Sequence, residues 1–384
     1  MKITYLSSPI SSQYGGGEKF LDDFMSDIDA EHEFVGSSKA IYDLFQSKGY
    51  KATLTSGLLE PVSVRNLLLI PVSILVGLFQ FIRFYSVFKA SDWIISPTSH
   101  CETFFVIPWI KIFLRKQVLF MIHTKPPNVF GIFPLNWILL KCWGDSPVTF
   151  VSNSQKGLWN EKGCLSKNQV VIYNGVEINK SKIENSPYLG GVIADDGGSL
   201  PKSIKIGFIG RLHKEKACDV LINALESINF SQPIEVIIAG GGPEKQNLTS
   251  LYEAKKLSPN IKVSFVGFIS DTKSFYESLG VLVFPSRLES FGLVICEAME
   301  RGLSVITSDI PSSLEIKNII NLKAQSELIF KKDDYKQLAS KIDYFIENQG
   351  QYLDLEYKKR LHSVIVEKFS LEQMLSEYNK VLNS

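Results

Sequence analysis

Glu289 and Glu297 lie eight positions apart in "PSRLESFGLVICEAMERG", where the strand-like run "VLVFPS" gives way to a helix. That spacing leaves Glu289 in the loop ahead of the helix and Glu297 about one turn inside it. The backbone N–H groups of Phe291, Gly292 and Leu293 then form the helix N-terminus, where unsatisfied donors and the helix dipole suit an anion such as a diphosphate. An ionised carboxylate only accepts hydrogen bonds, so Glu297 suits the hydroxyls of a ribose and Glu289 those of a donor sugar. The same pair also reads as two solvated carboxylates drawn to a helix start by its dipole.

A second cluster, "IGFIGRLHKEKACDVLINAL", ends a strand at Gly210 and puts Arg211 and Lys216 in the turn before an amphipathic helix. A planar guanidinium and a point-charge ammonium together suit a departing diphosphate. Ordinary surface basicity is the competing reading of "HKEK". Gly15, Gly16 and Gly17 fall between the first strand and its helix. There the missing Cβ either lets backbone approach a phosphate or sugar, or makes a flexible turn. Gly240, Gly241 and Gly242 follow another strand and read as supporting structure. His123 ends the strand "VLFMIH", as a donor to a sugar hydroxyl or a group that stabilises developing charge. His100, ending a neighbouring strand, is its rival, and either also reads as a structural histidine. No metal site is evident, because "DID" at 27–29 falls at a helix end before a strand and reads as solvated surface.

These residues need a frame of strands and helices. "KITYLSS", "WIISPT", "VLFMIH", "VTFVS" and "VVIYNG" are apolar runs separated by stretches long enough for crossover helices, which is the pattern of a parallel, doubly wound sheet. The alternation restarts at "IKIGFIG" and continues through "IEVIIAGGG", "KVSFVGF", "VLVFPS" and "SVITSD". With 384 residues, two α/β domains are the default. Residues 184–203 hold six glycines and prolines and read as a linker. The expected organisation is a first domain over 1–183, the linker, a second domain over 204–364 and a terminal helix over 365–384. Ligands are expected in a cleft between the two, at the carboxyl ends of the strands.

The order of these motifs, with "YGGGEKF", "IYNGVE", "IIAGGGPE", "VSFVGFISD" and "SELIFKKDDYKQLASKI", resembles the retaining GT-B glycosyltransferases of the large family 4 (group 1) over nearly the whole chain. Ala217, where the family usually has Gly, and "SSLE" at 312–315, where it often has glycines, depart from that pattern. The resemblance implies two facing Rossmann-like domains, with the last helix crossing back to the first. It also implies a nucleotide diphosphate sugar as donor, with UDP as the guess, and a donor site built from Gly16, Gly17, Arg211, Lys216, Phe268, Glu289, Phe291, Gly292, Leu293 and Glu297. His123, Glu289, Arg211 and Lys216 would be the catalytic set, His123 lying beside the donor sugar. No cofactor or metal is then needed, because Arg211, Lys216 and a helix N-terminus carry the leaving-group charge. A nucleotide-sugar epimerase of the same architecture and a silent membrane-associated scaffold are the alternatives.

A net charge of +1 excludes a global field for nucleic acid, so attraction to an anionic surface must be local. Residues 62–145 supply it, with eight Lys or Arg against three acids, four of five tryptophans and ten of 25 phenylalanines. The 17-residue run 66–82 between Arg65 and Arg83 contains Asn66, Pro71, Ser73 and Gln80 and falls short of the ~20 apolar residues of a span. It reads equally as a buried crossover helix and as a helix at a lipid interface. Five singly scattered cysteines suit a reducing compartment, and "MKITYLSSP" lacks a signal peptide's apolar stretch. The expectation is a cytoplasmic protein, peripheral on an anionic inner leaflet, acting on a lipid-linked or saccharide acceptor in cell-surface polysaccharide synthesis.

Overall fold

The computed structural model describes residues 1–7, 16–55, 70–97, 105–126, 144–163, 166–178 and 203–384. The chain divides into two compact units, Met1–Asn174 with Met374–Ser384, and Gly175–Gln373. His100 and Gly15 lie outside the described residues, as does all but Ser203 of the 184–203 stretch.

The first unit is built on β1 (Lys2–Ser7), α1 (Gly16–Asp27), β2 (Glu31–Gly36), α2 (Lys39–Ser47), β3 (Lys51–Leu54), α3 (Ile70–Arg83), α4 (Tyr85–Ala90), β4 (Trp93–Ser96), β5 (Gln117–Ile122), β6 (Val148–Phe150), α5 (Asn153–Glu161) and β7 (Gln169–Val171). The strands form one sheet in the order β3-β2-β1-β4-β5-β6-β7, every pair parallel. Tyr5 lies opposite Phe34 on one side and Ile95 on the other. β4 and β5 read as near-continuous apolar runs because both sheet faces are covered. β2 and β3 stand out less in the sequence: "EHEFVG" carries two glutamates and a histidine, and "KATL" is a half-exposed edge strand.

The second unit runs β8 (Ile204–Ile209), α6 (Cys218–Ala224), β9 (Ile234–Ala239), α7 (Lys245–Glu253), β10 (Ile261–Gly267), α8 (Thr272–Glu277), β11 (Val281–Phe284), α9 (Leu293–Glu300), β12 (Ser304–Ser308), α10 (Pro311–Ile320), α11 (Lys323–Ser326), β13 (Ile329–Phe330), α12 (Tyr335–Glu347), α13 (Gln349–Leu353) and α14 (Leu355–Phe369). Its parallel sheet has the order β10-β9-β8-β11-β12-β13. Both sheets therefore reverse direction between their first strand and a later neighbour, β1/β4 and β8/β11. In doubly wound folds ligands bind beyond the strand ends at that point.

The expected terminal helix divides. α14 ends at Phe369, Ser370 is extended and accepts a hydrogen bond from Gln373 N at 3.2 Å, and α15 (Leu371–Leu382) begins anew. The serine cap starts the new helix where backbone donors would otherwise be unsatisfied. α15 packs on the first unit, as expected of a helix crossing back. The Tyr378 ring meets Phe24 edge-on at 5.3 Å, and Trp93 Nε1 donates to the Leu382 carbonyl at 3.1 Å.

Candidate active site

In the second unit the loops after β8 and β11 meet. Lys216 Nζ donates to Glu289 Oε1 in an ion pair with both side chains mostly buried, 26% and 14% exposed. Ser286 Oγ donates to the same carboxylate oxygen at 3.1 Å. Arg211, on the same loop as Lys216, is exposed, and its guanidinium makes no ion pair among the described residues. Lys216 is thus neutralised by Glu289, and Arg211 adds a positive charge that no carboxylate among the described residues pairs with.

Arg287 holds the loops in place. It grips both carboxylate oxygens of Asp219 at 2.9 and 2.6 Å, bonds Asp333 through Nε at 2.6 Å, and donates to the Lys214 carbonyl at 2.6 Å. Its backbone N–H also reaches the Glu215 carbonyl at 2.8 Å. A bidentate guanidinium clamp of this kind fixes geometry as well as charge. Sequence reading passed over Arg287, although it stands two residues before Glu289; its partners are 46 and 68 positions away and leave no local signal.

α9 starts after Gly292, whose φ of +110° is a conformation that side-chain-bearing residues rarely adopt, and as a glycine this N-cap residue has no side chain to bond the helix start. Phe291 is buried with its ring 5.8 Å from Phe369, anchoring the turn, and Leu293 opens the helix. Glu297, on the second turn of α9, accepts a hydrogen bond from the Tyr276 hydroxyl at 2.8 Å. Tyr276 is buried on α8, and no spacing rule would have found it. Phe268, just past β10, is 86% exposed.

The glycines after β9 serve close packing. A Cβ on Gly240 would collide with the Gly210 carbonyl oxygen, and Leu212 N donates to the Gly241 carbonyl at 2.8 Å. The triple glycine thus supports the Arg211 loop. Ala217 takes a left-handed conformation, φ +54° and ψ +37°, a backbone geometry that favours glycine.

In the first unit, α1 begins at Gly16 and Gly17. His123 follows β5, its ring 4.3 Å from Phe20 of α1. The next carbonyl, of Thr124, is held by Gln155 Nε2 at 3.1 Å and Trp159 Nε1 at 2.9 Å, so α5 fixes this loop. His123 Nε2 is buried with no hydrogen-bond partner among the described residues, although part of the residue reaches solvent. Burial pushes the imidazole pKa down to about 4. At neutral pH the ring is therefore uncharged, able to donate or accept a hydrogen bond.

This burial predicts a pH dependence. The unfolded chain binds the proton near pH 6.5 and the folded chain near 4, so stability is lost as pH falls through that window. Relative to His123→Gln, the wild type should lose about 2 kcal/mol more between pH 7.5 and 5. Urea unfolding of both proteins at the two pH values measures this; equal losses would mean that the imidazole is solvated.

Among the described residues no group of three or more His, Cys, Asp or Glu side chains is placed to hold a metal ion. Asp27 closes α1, and the short link to β2 that follows contains Asp29.

The chain is similar to several known proteins. Residues 193–362 match the model of the glycosyl transferases group 1. The O-antigen biosynthesis glycosyltransferase WclY of Escherichia coli is 30% identical over 254 residues, 65% of this chain and 64% of that protein. The capsular polysaccharide biosynthesis glycosyltransferase CapM of Staphylococcus aureus is 24% identical over 266 residues, 67% of each chain. The match to WclY thus spans slightly under two thirds of that relative's length. In fold, the chain is similar over its whole length to Anabaena HepE in complex with UDP (TM-score 0.74, 19% identity, 100% of that chain). It is also similar to the lipopolysaccharide outer core galactosyltransferase WaaB in its apo form (TM-score 0.72, 16% identity, 99% of that chain). Residues 193–362, which hold Arg211, Lys216, Glu289 and Glu297, are thus similar to the group 1 glycosyl transferases, and the two Rossmann-like units have the GT-B fold.

Proposed function

We propose that this chain transfers a sugar from a nucleoside diphosphate donor, UDP by preference, to a lipid-linked saccharide acceptor in cell-surface polysaccharide synthesis. The observation that carries this reading is the Lys216–Glu289 ion pair where the β8 and β11 loops meet, ahead of the N-terminus of α9, with exposed Arg211 on the same β8 loop. A diphosphate is an anion that two cations and a helix N-terminus can hold without a metal. As it engages Lys216, the Glu289 carboxylate is released to accept hydrogen bonds from sugar hydroxyls. Glu297, oriented by Tyr276, takes the ribose hydroxyls, and neutral His123 offers a hydrogen bond to the donor sugar. Leaving-group charge grows as the glycosidic bond breaks, so cations fixed in advance stabilise the transition state more than the ground state. The reaction proceeds with retention, the departing phosphate oxygen taking the acceptor's proton on the same face. The names of WclY and CapM support the polysaccharide role, and UDP in HepE supports the base. The enzyme works on the inner face of the cell membrane.

A thermal-shift screen of nucleotide sugars tests the donor. A donor at about 100 times its Kd should stabilise the protein by about 2.7 kcal/mol, and transfer should persist in chelator. If no nucleotide sugar shifts the melting curve, the reading fails; a donor epimerised without any acceptor would make the chain an epimerase, and a strict need for divalent metal would overturn the metal-free mechanism.

A further inference from the structure

α3 is apolar on both sides, and only one side is covered. Gln80 and Phe81 are buried, as is Phe84 just beyond the helix, whereas Val72, Leu75, Phe79 and Ile82 are 55%, 66%, 64% and 62% exposed. Those four positions follow helical spacing and form one outward stripe. It continues into the π-helical turn Ile110–Leu114, where Ile112 and Phe113 are 65% and 61% exposed and Phe113 stacks on Phe81 at 5.8 Å. Large exposed apolar side chains are ordinary when scattered, but a contiguous patch marks a binding surface.

The rim is cationic. Arg83, Lys89 and Arg115 are exposed around the patch, with the Arg83 guanidinium 5.2 Å from the Phe84 ring centre. Over 70–97 and 105–122 the one acid is Asp92, and its carboxylate accepts a hydrogen bond from Lys2 N at 2.7 Å. A groove of about 260 Å³ beside the stripe is lined by Leu75, Phe79, Gln80 and Arg83 together with Thr55. The Thr55 hydroxyl oxygen is buried there without a hydrogen-bond partner among the described residues. Apolar side chains in the middle, aromatics beside them and cations at the edge match the layers of an anionic bilayer surface.

We propose that this face docks on an anionic phospholipid bilayer, with α3 lying in the plane of the interface and a lipid phosphate held at the Arg83 groove. The helix has 14 residues, about 21 Å, too short to cross the hydrocarbon layer. A second copy of the chain would set cation against cation, and the apolar segment 127–143 carries Lys141 and no acid, so neither supplies the charge the rim asks for. The inference rests on the reading above for its purpose, which is to bring the enzyme to a lipid-linked acceptor. Vesicle binding needs neither donor nor acceptor, so the two ideas fail separately.

The experiment is co-sedimentation of the full chain with vesicles of phosphatidylcholine alone or equimolar with phosphatidylglycerol, at low and high salt. The wild type should bind the anionic vesicles and be released by salt. Arg83→Glu/Lys89→Glu/Arg115→Glu should bind about 100-fold more weakly at low salt, and Leu75→Glu/Phe79→Glu/Ile82→Glu at least as much, with donor affinity unchanged in both. Should the apolar variant fold poorly, Phe79→Trp decides, because brominated acyl chains should quench the fluorescence that this variant gains over the wild type. No binding by the wild type at low salt, equal binding to both vesicle types, no quenching of the fluorescence gained in Phe79→Trp, or a wild-type dimer dissociated by the apolar variant would each overturn the proposal.

Discussion

Replacing Lys216 with alanine should lower sugar-transfer turnover by about 10²- to 10³-fold, the usual cost of removing one preorganised group that stabilises transition-state charge. Lys216 Nζ is held by Glu289 within a loop that Arg287 ties down through the Lys214 and Glu215 carbonyls and the neighbouring Asp219, so the ammonium needs little rearrangement to meet a leaving group. Arg211→Ala should lose activity of the same order, because it removes the other cation. Glu289→Ala should lower turnover with a smaller effect on nucleoside diphosphate affinity, since it frees Lys216 while taking away the acceptor for the sugar. Steady-state kinetics separates these cases: a rise in KM at constant kcat for Lys216→Ala would mean that the lysine only binds the donor.

Nucleoside diphosphate affinity should fall by roughly 10- to 150-fold in Glu297→Ala, equivalent to about 1.5 to 3 kcal/mol for a hydrogen bond to a charged group. The structure adds a control. Glu297 also accepts the hydroxyl of buried Tyr276 at 2.8 Å, so alanine strips a buried donor of its partner and should lower stability as well. Glu297→Gln keeps an acceptor for Tyr276 and removes the charge; it should keep the melting temperature and still lose affinity. Calorimetry with UDP measures both variants, and unchanged affinity in each would remove Glu297 from the donor site. Tyr276→Phe should have a smaller effect, because it only loosens the carboxylate.

The sequence by itself determined the class of fold and the order of its motifs. Parallel strands buried on both faces must be nearly continuous in valine, isoleucine and leucine, and a restart of that alternation at Ile204 announces a second sheet. The strands whose exposure breaks the pattern, β2 and β3, were the ones hard to read. Arg211, Lys216, Glu289 and Glu297 stand out in the sequence because cations at a strand end and carboxylates at a helix start suit a diphosphate sugar. Tertiary structure alone decided what those side chains touch. The Lys216 and Glu289 pairing crosses 73 positions and the Arg287 clamp on Asp219 crosses 68, distances at which local spacing carries no information. Burial, a property of the packed fold, keeps His123 neutral down to about pH 4. The two readings of the 66–82 run also needed packing to tell them apart, because hydropathy measures how apolar a helix is and not which of its faces a neighbour covers. In the fold, α3 is covered on one side only: Phe81 is buried, and Leu75, Phe79 and Ile82 face outward.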